Sequence, residues 1–384
     1  MSGTGTGPGN GSGPVGVAIV GAGVISGEYL RTLTAFPDVR VLGVADLDTA
    51  RASAAARDHG VEVAGDVATV LGIPEVEIVV NLTVPAAHAE IATAALRAGK
   101  HVYGEKPLAT TAETGDALLA EAAERGLLVG NAPDTFLGAG LQSALRAVRA
   151  GHIGTPVAAA TAVQSLGPES WHPDPAFFYQ PGAGPLFDIG PYYLTSLVAL
   201  FGPVARVAAT AARARARRTT GSGPKAGETF SVDVPTHVNA LLEFASGPRA
   251  SSVYSFDSSV RRIQFEVTGS EGTLGVPDPN TFRGPLLVRG HGDDDWRELP
   301  VEGATTGRGL GVLEMARALR SGQPHRASGA LGLHVLKTMT AITDSAEAAE
   351  FRTVGPPAPG GAAFIAPEPL PEGWDPHASL LAGD

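Results

Sequence analysis

The sequence predicts an α/β chain in two parts: an N-terminal doubly wound parallel sheet, then an α+β domain with a large, mostly antiparallel open sheet. Three observations lead there. Short apolar runs alternate with Ala-rich helical stretches as far as Asn131. Beyond about Gly154, strands with period-2 alternation follow one another with few helices between. At 384 residues the chain exceeds what one compact core supports.

Val15–Val20 reads as a buried strand that runs into a glycine turn and a helix to about Ala35. Val39–Ala45 is a second strand, and Asp48 is placed to cap a helix over Thr49–His59. Val61–Val63 is a short strand and Ile78–Leu82 a longer one; Pro85–Ala98 is a helix closed by Gly99. Lys100–Tyr103, a helix from about Thr111 to Arg125, and Leu127–Asn131 complete this part. The strands expected next are Val157–Gln164, Val204–Arg213, His237–Phe244, Ala250–Phe256, Ile263–Gly269 and Gly272–Val276. Helices are expected at about Pro191–Phe201, Leu310–Ser321 and Leu331–Glu350, with Thr219–Glu228 a loop or hinge. The resulting division is a disordered Gly/Ser/Thr leader over 1–14, a first domain over 15–132, a second over 133–354, and an extended surface tail over 355–384.

A net charge of −11 repels phosphate backbones and argues against nucleic-acid partners. Arg213, Arg215, Arg217 and Arg218 form the one basic cluster, read as a solvated loop or strand. With no cysteine, disulfides, Cys-ligated metals and thiol catalysis are excluded. The histidines show no paired short spacing, so no metal is expected, and no apolar run reaches the roughly 18 residues that span a bilayer. The start of the chain lacks the pattern of a signal peptide, and a cytoplasmic protein is expected.

The first strand runs directly into Gly21-Ala22-Gly23-Val24-Ile25-Ser26-Gly27, with Ser26 at the third small position of a G-x-G-x-x-G turn. Two early glycines let the backbone turn tightly and approach a pyrophosphate seated on the following helix N-terminus. Asp46 ends the second strand 23 residues after Gly23, where a carboxylate bonds an adenosine ribose hydroxyl. A Rossmann dinucleotide site built on Gly21, Gly23, Val24, Ile25 and Asp46 is expected; the plain alternative is a nucleotide-free turn of the same shape. Asp46 favours NAD over NADP by repelling a 2′-phosphate; nearby Arg51 blunts that preference, so NADP is not excluded.

Three segments together resemble the Gfo/Idh/MocA family of sugar and cyclitol dehydrogenases: the glycine turn with Asp46; Asn81-Leu-Thr-Val-Pro-Ala-Ala-His88 continuing to Gly99-Lys-His-Val-Tyr-Gly-Glu-Lys-Pro107; and Gly184-Pro-Leu-Phe-Asp-Ile-Gly-Pro-Tyr192. The resemblance covers about Val15 to Val354, and Glu105-Lys106-Pro107 is its most specific part. It implies NAD-dependent hydride transfer to or from a secondary alcohol of a polyhydroxylated small molecule, with Lys106 beside the nicotinamide and a cis bond before Pro107. Lys106 lies just past a strand end, on the ligand-binding edge of a parallel sheet; the plain alternative is a surface lysine paired with Glu105. Many relatives have His where this chain has Tyr192. A Lys106–Tyr192 proton relay is therefore expected, with desolvation lowering the lysine pKa, Tyr192 serving as proton donor for ketone reduction or as base if Lys106 lowers its pKa, and Asp188 orienting substrate hydroxyls.

Thr83, Pro85, His88, Glu105 and Asn131 are expected along the cofactor, and Trp171, His172, Phe178, Tyr179 and His237 as substrate contacts. A packed aromatic cluster beneath a loop is the alternative for the aromatic set. Two other readings stay open: a redox-neutral lyase or glycosidase using tightly held NAD, and a non-catalytic NAD sensor. A homodimer or homotetramer is expected, because an open sheet exposes an apolar face.

Overall fold

In the computed structural model, which describes residues 12–305, 307–355 and 366–381, six strands form the first sheet. They are β1 (Val15–Val20), β2 (Val39–Ala45), β3 (Val63–Gly65), β4 (Ile78–Asn81), β5 (His101–Gly104) and β6 (Val129–Asn131), in the order β3-β2-β1-β4-β5-β6, every pair parallel. The order reverses between β1 and β4, and ligands of such sheets bind at that carboxyl-edge crevice. The connecting helices are α1 (Ser26–Leu33), α2 (Thr49–Asp58), α3 (Val67–Leu71), α4 (His88–Arg97) and α5 (Ala112–Glu124).

β1 is apolar at every position because helices cover both faces. Val17 and Ile19 share a core with Tyr29, Leu30 and Leu33 of α1, whereas Ala18 and Val20 pack with Leu96 of α4 and Leu118 of α5. Asp48 caps α2 as expected, accepting from the backbone N–H groups of Ala50 and Arg51. The five-residue α3 went unread because it is shorter than two helical turns and shows no period.

The second domain begins with α6 (Ala139–Arg149) and then β7 (Pro156–Gln164), α7 (Pro185–Phe201), β8 (Val204–Ala212), β9 (Arg217–Thr219), β10 (Thr229–Ser231), β11 (His237–Phe244), β12 (Arg249–Ser255), β13 (Arg262–Gly269), β14 (Gly272–Gly275), β15 (Leu286–Gly290) and β16 (Arg297–Leu299). It closes with α8 (Leu310–Ser321), α9 (Gly329–Ala348) and β17 (Arg352–Thr353). Nine strands form one open sheet, β16-β15-β14-β13-β7-β12-β11-β8-β17, antiparallel throughout except for β7 beside β12. Along β11, Val238, Ala240, Leu242 and Phe244 are buried under the helical layer, while Asn239 and Leu241 face outward.

Two of the findings that follow, at α7 and Arg218, differ from the expectations. α7 starts at Pro185 rather than near Pro191, so Pro191 lies inside the helix and removes the donor that would bond the Phe187 carbonyl. The loop expected at Thr219–Glu228 is present, as the connection of the β9–β10 hairpin. Arg218 is not solvated: it is 5% exposed and ion-paired with Glu169 and Asp257, and its guanidinium also donates to the Leu166 and Phe256 carbonyls. The tail over 366–381 is pinned to the body of the protein. Arg317 donates to the carbonyls of Asp375 and Ala378, the buried Asp38 carboxylate accepts from the Leu380 and Leu381 amides, and Leu370 N–H donates to Gln142. Most of the leader and the remainder of the tail lie outside the described residues. Among the described residues no helix is long and apolar enough to cross a membrane.

The last two helices return to the first sheet. Gly332 admits Asn131 so closely that a Cβ there would stand 2.3 Å from its Oδ1, and Gly130 bridges to Ser328. Helices from late in the chain therefore pack directly against the carboxyl edge of the first sheet.

Candidate active site

The glycine turn closes over the carboxyl end of β1. Gly21 adopts φ +104°, and a Cβ there would meet the Leu82 carbonyl oxygen at 2.6 Å, so only glycine fits. Asp46, at the end of β2, accepts from the Ala22 amide at 2.7 Å and the Asp48 amide at 2.9 Å, fixing the turn. Ser26 is buried, and its hydroxyl donates to the Gly23 carbonyl at 2.6 Å, closing the first turn of α1. The residues fit a dinucleotide on two counts. The position of a Cβ on Gly23 has no atom within 4 Å, leaving the turn open above its amides. Val24, Leu47 and Val84, at the ends of β1, β2 and β4, are exposed at 101%, 101% and 66%, apolar side chains that a bound ring would cover.

Farther along the edge, Glu105 leaves β5 with one carboxylate oxygen accepting from the Tyr29 hydroxyl of α1 at 2.9 Å and the other from the Lys106 amide, also at 2.9 Å. The Lys106–Pro107 bond is cis. The Lys106 Nζ crosses to α7 of the second domain, where it donates to the Asp188 carbonyl at 2.8 Å and to the Asp188 carboxylate at 3.2 Å. It lies 5.5 Å from the centroid of the Tyr192 ring, one helical turn beyond Asp188. The two groups singled out in the sequence thus converge from separate domains.

The proton affinities differ from the lowered values expected of Lys106 and of Tyr192 as a base, and suit Tyr192 as a proton donor. Burial pulls the Lys106 pKa down, but the Asp188 carboxylate, Tyr192 and Glu105 outweigh it and hold the pKa above the ordinary lysine value. Burial raises the Tyr192 phenol, and the lowering by Lys106 and Arg308 does not cancel it. At neutral pH both groups carry their protons. Asp188 has one carboxylate oxygen, Oδ1, engaged by the ammonium, and its side chain is 24% exposed.

Several other expected contacts are placed elsewhere. His88 is buried, its Nδ1 2.7 Å from the Pro107 carbonyl and its Nε2 3.0 Å from that of Thr83. It staples the loop after β4 to the Lys106–Pro107 turn and does not reach the open edge. Asn131 donates through its amide to the Gly104 and Glu105 carbonyls at 3.1 Å each, so it holds the backbone beneath Lys106. Thr83 donates to Asn81 Oδ1 at 2.7 Å, and Pro85 is exposed at the loop crest. Tyr179 is fully buried against Phe230 and Phe256, its hydroxyl on Glu169; the packed-cluster alternative holds for it. Trp171, His172 and Phe178 meet edge to face at 5.3–6.5 Å, with Trp171 65% exposed. His237 points to the outer face of the open sheet, bonded to Ser255 and Asn239, away from the cleft.

Sequence reasoning missed Tyr29 and Arg308, and gave Asp134 no role of its own. Arg308 precedes α8, and its guanidinium lies 5.3 Å from the centroid of the Tyr192 ring. Asp134 follows β6, is fully buried, and accepts from the Gly309 and Gly311 amides at 2.8 and 3.1 Å. An isolated Arg in a Gly/Thr-rich loop carries no periodic or motif signal.

Comparison with known proteins agrees with the architecture. The family described as "Oxidoreductase family, NAD-binding Rossmann fold" matches residues 15–132, and the "GFO/IDH/MocA C-terminal domain" matches 141–275. Inositol 2-dehydrogenase 3 of Saccharopolyspora erythraea is 30% identical over 295 residues, 74% of this chain and 80% of that protein. The 1,5-anhydro-D-fructose reductase of Ensifer adhaerens is 26% identical over 344 residues, 87% and 98% of the two chains. A shorter match, to inositol 2-dehydrogenase 2 of S. erythraea, is 41% identical but spans only 29% of that protein. The solved structure of levoglucosan dehydrogenase with NADH and L-sorbose shares the fold at TM-score 0.77 and 23% identity, covering 89% of this chain and 99% of that one. The glycine turn, the Glu105-Lys106-Pro107 edge and the nine-stranded sheet are the parts of one known plan, and the chain belongs to the Gfo/Idh/MocA family of oxidoreductases, its first domain an NAD-binding Rossmann domain.

Proposed function

We propose that the protein transfers a hydride between NAD and a secondary alcohol or ketone carbon of a sugar, glycoside or cyclitol, with Lys106 and Tyr192 carrying the proton of the reacting oxygen. The observation that carries this reading is the meeting of the Lys106 ammonium with the Tyr192 ring, 5.5 Å apart, at the carboxyl edge of the dinucleotide sheet. The relatives named for inositol, anhydrofructose and levoglucosan support the substrate class.

When bound, the nicotinamide supplies or accepts the hydride. The chain's own residues do the rest. Two of the three Lys106 N–H groups are held by Asp188, leaving the third for a substrate oxygen. The Tyr192 hydroxyl makes no hydrogen bond to any described residue. Both groups keep their protons at neutral pH, which suits delivery of a proton to an oxygen gaining negative charge, as in ketone reduction. Alcohol oxidation requires a proton to leave the pair, so its rate rises with pH. Asp188 holds the ammonium in place; Glu105 and Asn131 hold its backbone.

A second copy of the chain is the proposed partner. The outer face of the open sheet presents Ala160, Ser251, Leu241 and Ala208 side by side on four strands, with Leu241 55% exposed. Such a flat row suits sheet-to-sheet pairing, and Leu241→Glu should dissociate the assembly in sedimentation. The cytoplasm is the proposed setting. The test of function is incubation with NAD and a panel of cyclitols and anhydro-sugars, inositol first, following reduced dinucleotide by absorbance. Accumulation in step with ketone is expected; dinucleotide that binds yet stays unchanged across the panel would sink the proposal.

A further inference from the structure

Arg308 is the second cation over the Tyr192 ring, and its placement is built rather than incidental. One guanidinium nitrogen donates to Asn280 Oδ1 at 2.9 Å. Another, Nη1, is buried with no hydrogen-bond partner among the described residues. The residue is flanked by Gly307 at φ +38° and Gly309 at φ +108°, and a Cβ on Gly307 would stand 2.1 Å from the Thr32 side chain. Two anchors fix that bend. The Thr32 hydroxyl of α1 donates to the Arg308 carbonyl, and the Asp134 carboxylate accepts the Gly309 amide at 2.8 Å.

These contacts close a ring through the site. From α1, Tyr29 bonds Glu105, whose carboxylate holds the Lys106 amide, and Lys106 reaches Asp188 and Tyr192. Also from α1, Thr32 holds the backbone of Arg308, which returns to Tyr192. The helix that opens the dinucleotide turn is therefore tied to both cations that face the phenol.

We propose that Arg308 is a positioning residue for Tyr192, its guanidinium and the Lys106 ammonium holding the phenol between two cations anchored to α1. This deepens the proposed function and rests on Tyr192 carrying the substrate proton. The charged groups around the phenol are Glu105 and Lys106 from the end of β5, Asp188 from α7, and Arg308 from the loop before α8. Around Arg308 stand Tyr192, Asp134, Glu105 and Tyr29. In that balance Arg308 stabilises the ionised phenol against burial and the two carboxylates. At 5.3 Å from the ring, a unit charge screened as near a protein surface moves an ionisation by about two pKa units.

The test installs 3,5-difluorotyrosine at position 192, which brings the phenol into an accessible pH range, and reads its ionisation by fluorine NMR on the full chain without substrate. In an Arg308→Gln background the midpoint should rise by about two units, and Arg308→Lys should recover most of it. Superimposable titrations of the parent and Arg308→Gln would overturn the inference, since a residue that only braces the loop leaves the midpoint where it was. If Arg308→Gln does not fold, Asn280→Ala, which frees the guanidinium without removing charge, must shift the midpoint; no shift there overturns it equally. Failure of the underlying reading is separate. Tyr192→Phe oxidising inositol as fast as the parent would remove Tyr192 from the chemistry whatever the NMR shows.

Discussion

Lys106→Met removes the ammonium while keeping most of the aliphatic stem, and the structure sets what it should do. The ammonium is the group placed to hydrogen-bond the substrate oxygen as charge develops on it. Removing one such donor from a preorganised site costs about 3 kcal/mol, a loss of at least about a hundredfold in turnover. Stability should respond differently. At 3.2 Å, the gross attraction between Nζ and the Asp188 carboxylate is about 5 kcal/mol at an effective dielectric near 20. Desolvation of the pair offsets most of that. With side chains 18% and 24% exposed, the carboxylate left behind can rehydrate, so a net loss of about 1–2 kcal/mol is expected. The double variant Lys106→Met/Asp188→Asn should regain most of that stability and none of the activity. The assay pairs steady-state reduction of NAD with thermal melts and a fluorescence titration of NADH, whose affinity should change little. Turnover of Lys106→Met within tenfold of the parent, or activity returning with stability in the double variant, would refute the reasoning.

Other consequences follow from the same geometry. Asp46→Ser removes the carboxylate at the end of β2 and should lower the NAD-to-NADP ratio of kcat/KM at least about tenfold; an unchanged ratio would place cofactor choice elsewhere. Gly21→Ala forces a Cβ to 2.6 Å from the Leu82 carbonyl at a positive φ, and should lower stability by about 2 kcal/mol or more together with loss of NADH binding. Burial pulls the His334 pKa down to about 4. The unfolded chain therefore takes up a proton that the fold refuses, so stability is intact above about pH 6.5 and declines toward pH 4. At pH 5 this one residue contributes a loss of about 2 kcal/mol. His334→Gln should show a correspondingly smaller drop in melting temperature between pH 7 and pH 5; an equal drop in both proteins would exclude His334 as a source of acid sensitivity.

What could be read from the sequence follows from how local the determining physics is. β1 and its glycine turn were legible because burial on both faces demands an unbroken apolar run and Gly21 demands a residue without Cβ. β11 was legible because one face is buried and the other is not. Short elements such as α3 and β16 were not, since three to five residues hold no period. The start of α7 was misplaced because Pro191 looks like a first-turn residue, whereas tertiary packing carries the helix through it. The Lys106 and Tyr192 assignments came from family resemblance and strand-edge position, and the fold brings them together. Their proton affinities were misjudged because the decisive partner of Lys106, the Asp188 carboxylate, is 82 residues away in sequence and had been assigned to substrate. His88 and Asn131 were placed on the cofactor because they lie near the right edge; their orientation toward backbone carbonyls is a matter of side-chain geometry that spacing does not encode. Arg308 was invisible for the same reason, more than a hundred residues from the ring it covers.

The account is tested most directly by a crystal structure of the protein with NADH. The reactive carbon of the nicotinamide should face a gap bordered by the Lys106 ammonium and the Tyr192 hydroxyl, with the pyrophosphate over Gly21 and Gly23 and the adenosine ribose on Asp46. A dinucleotide bound elsewhere, or a nicotinamide turned away from that pair, would contradict it.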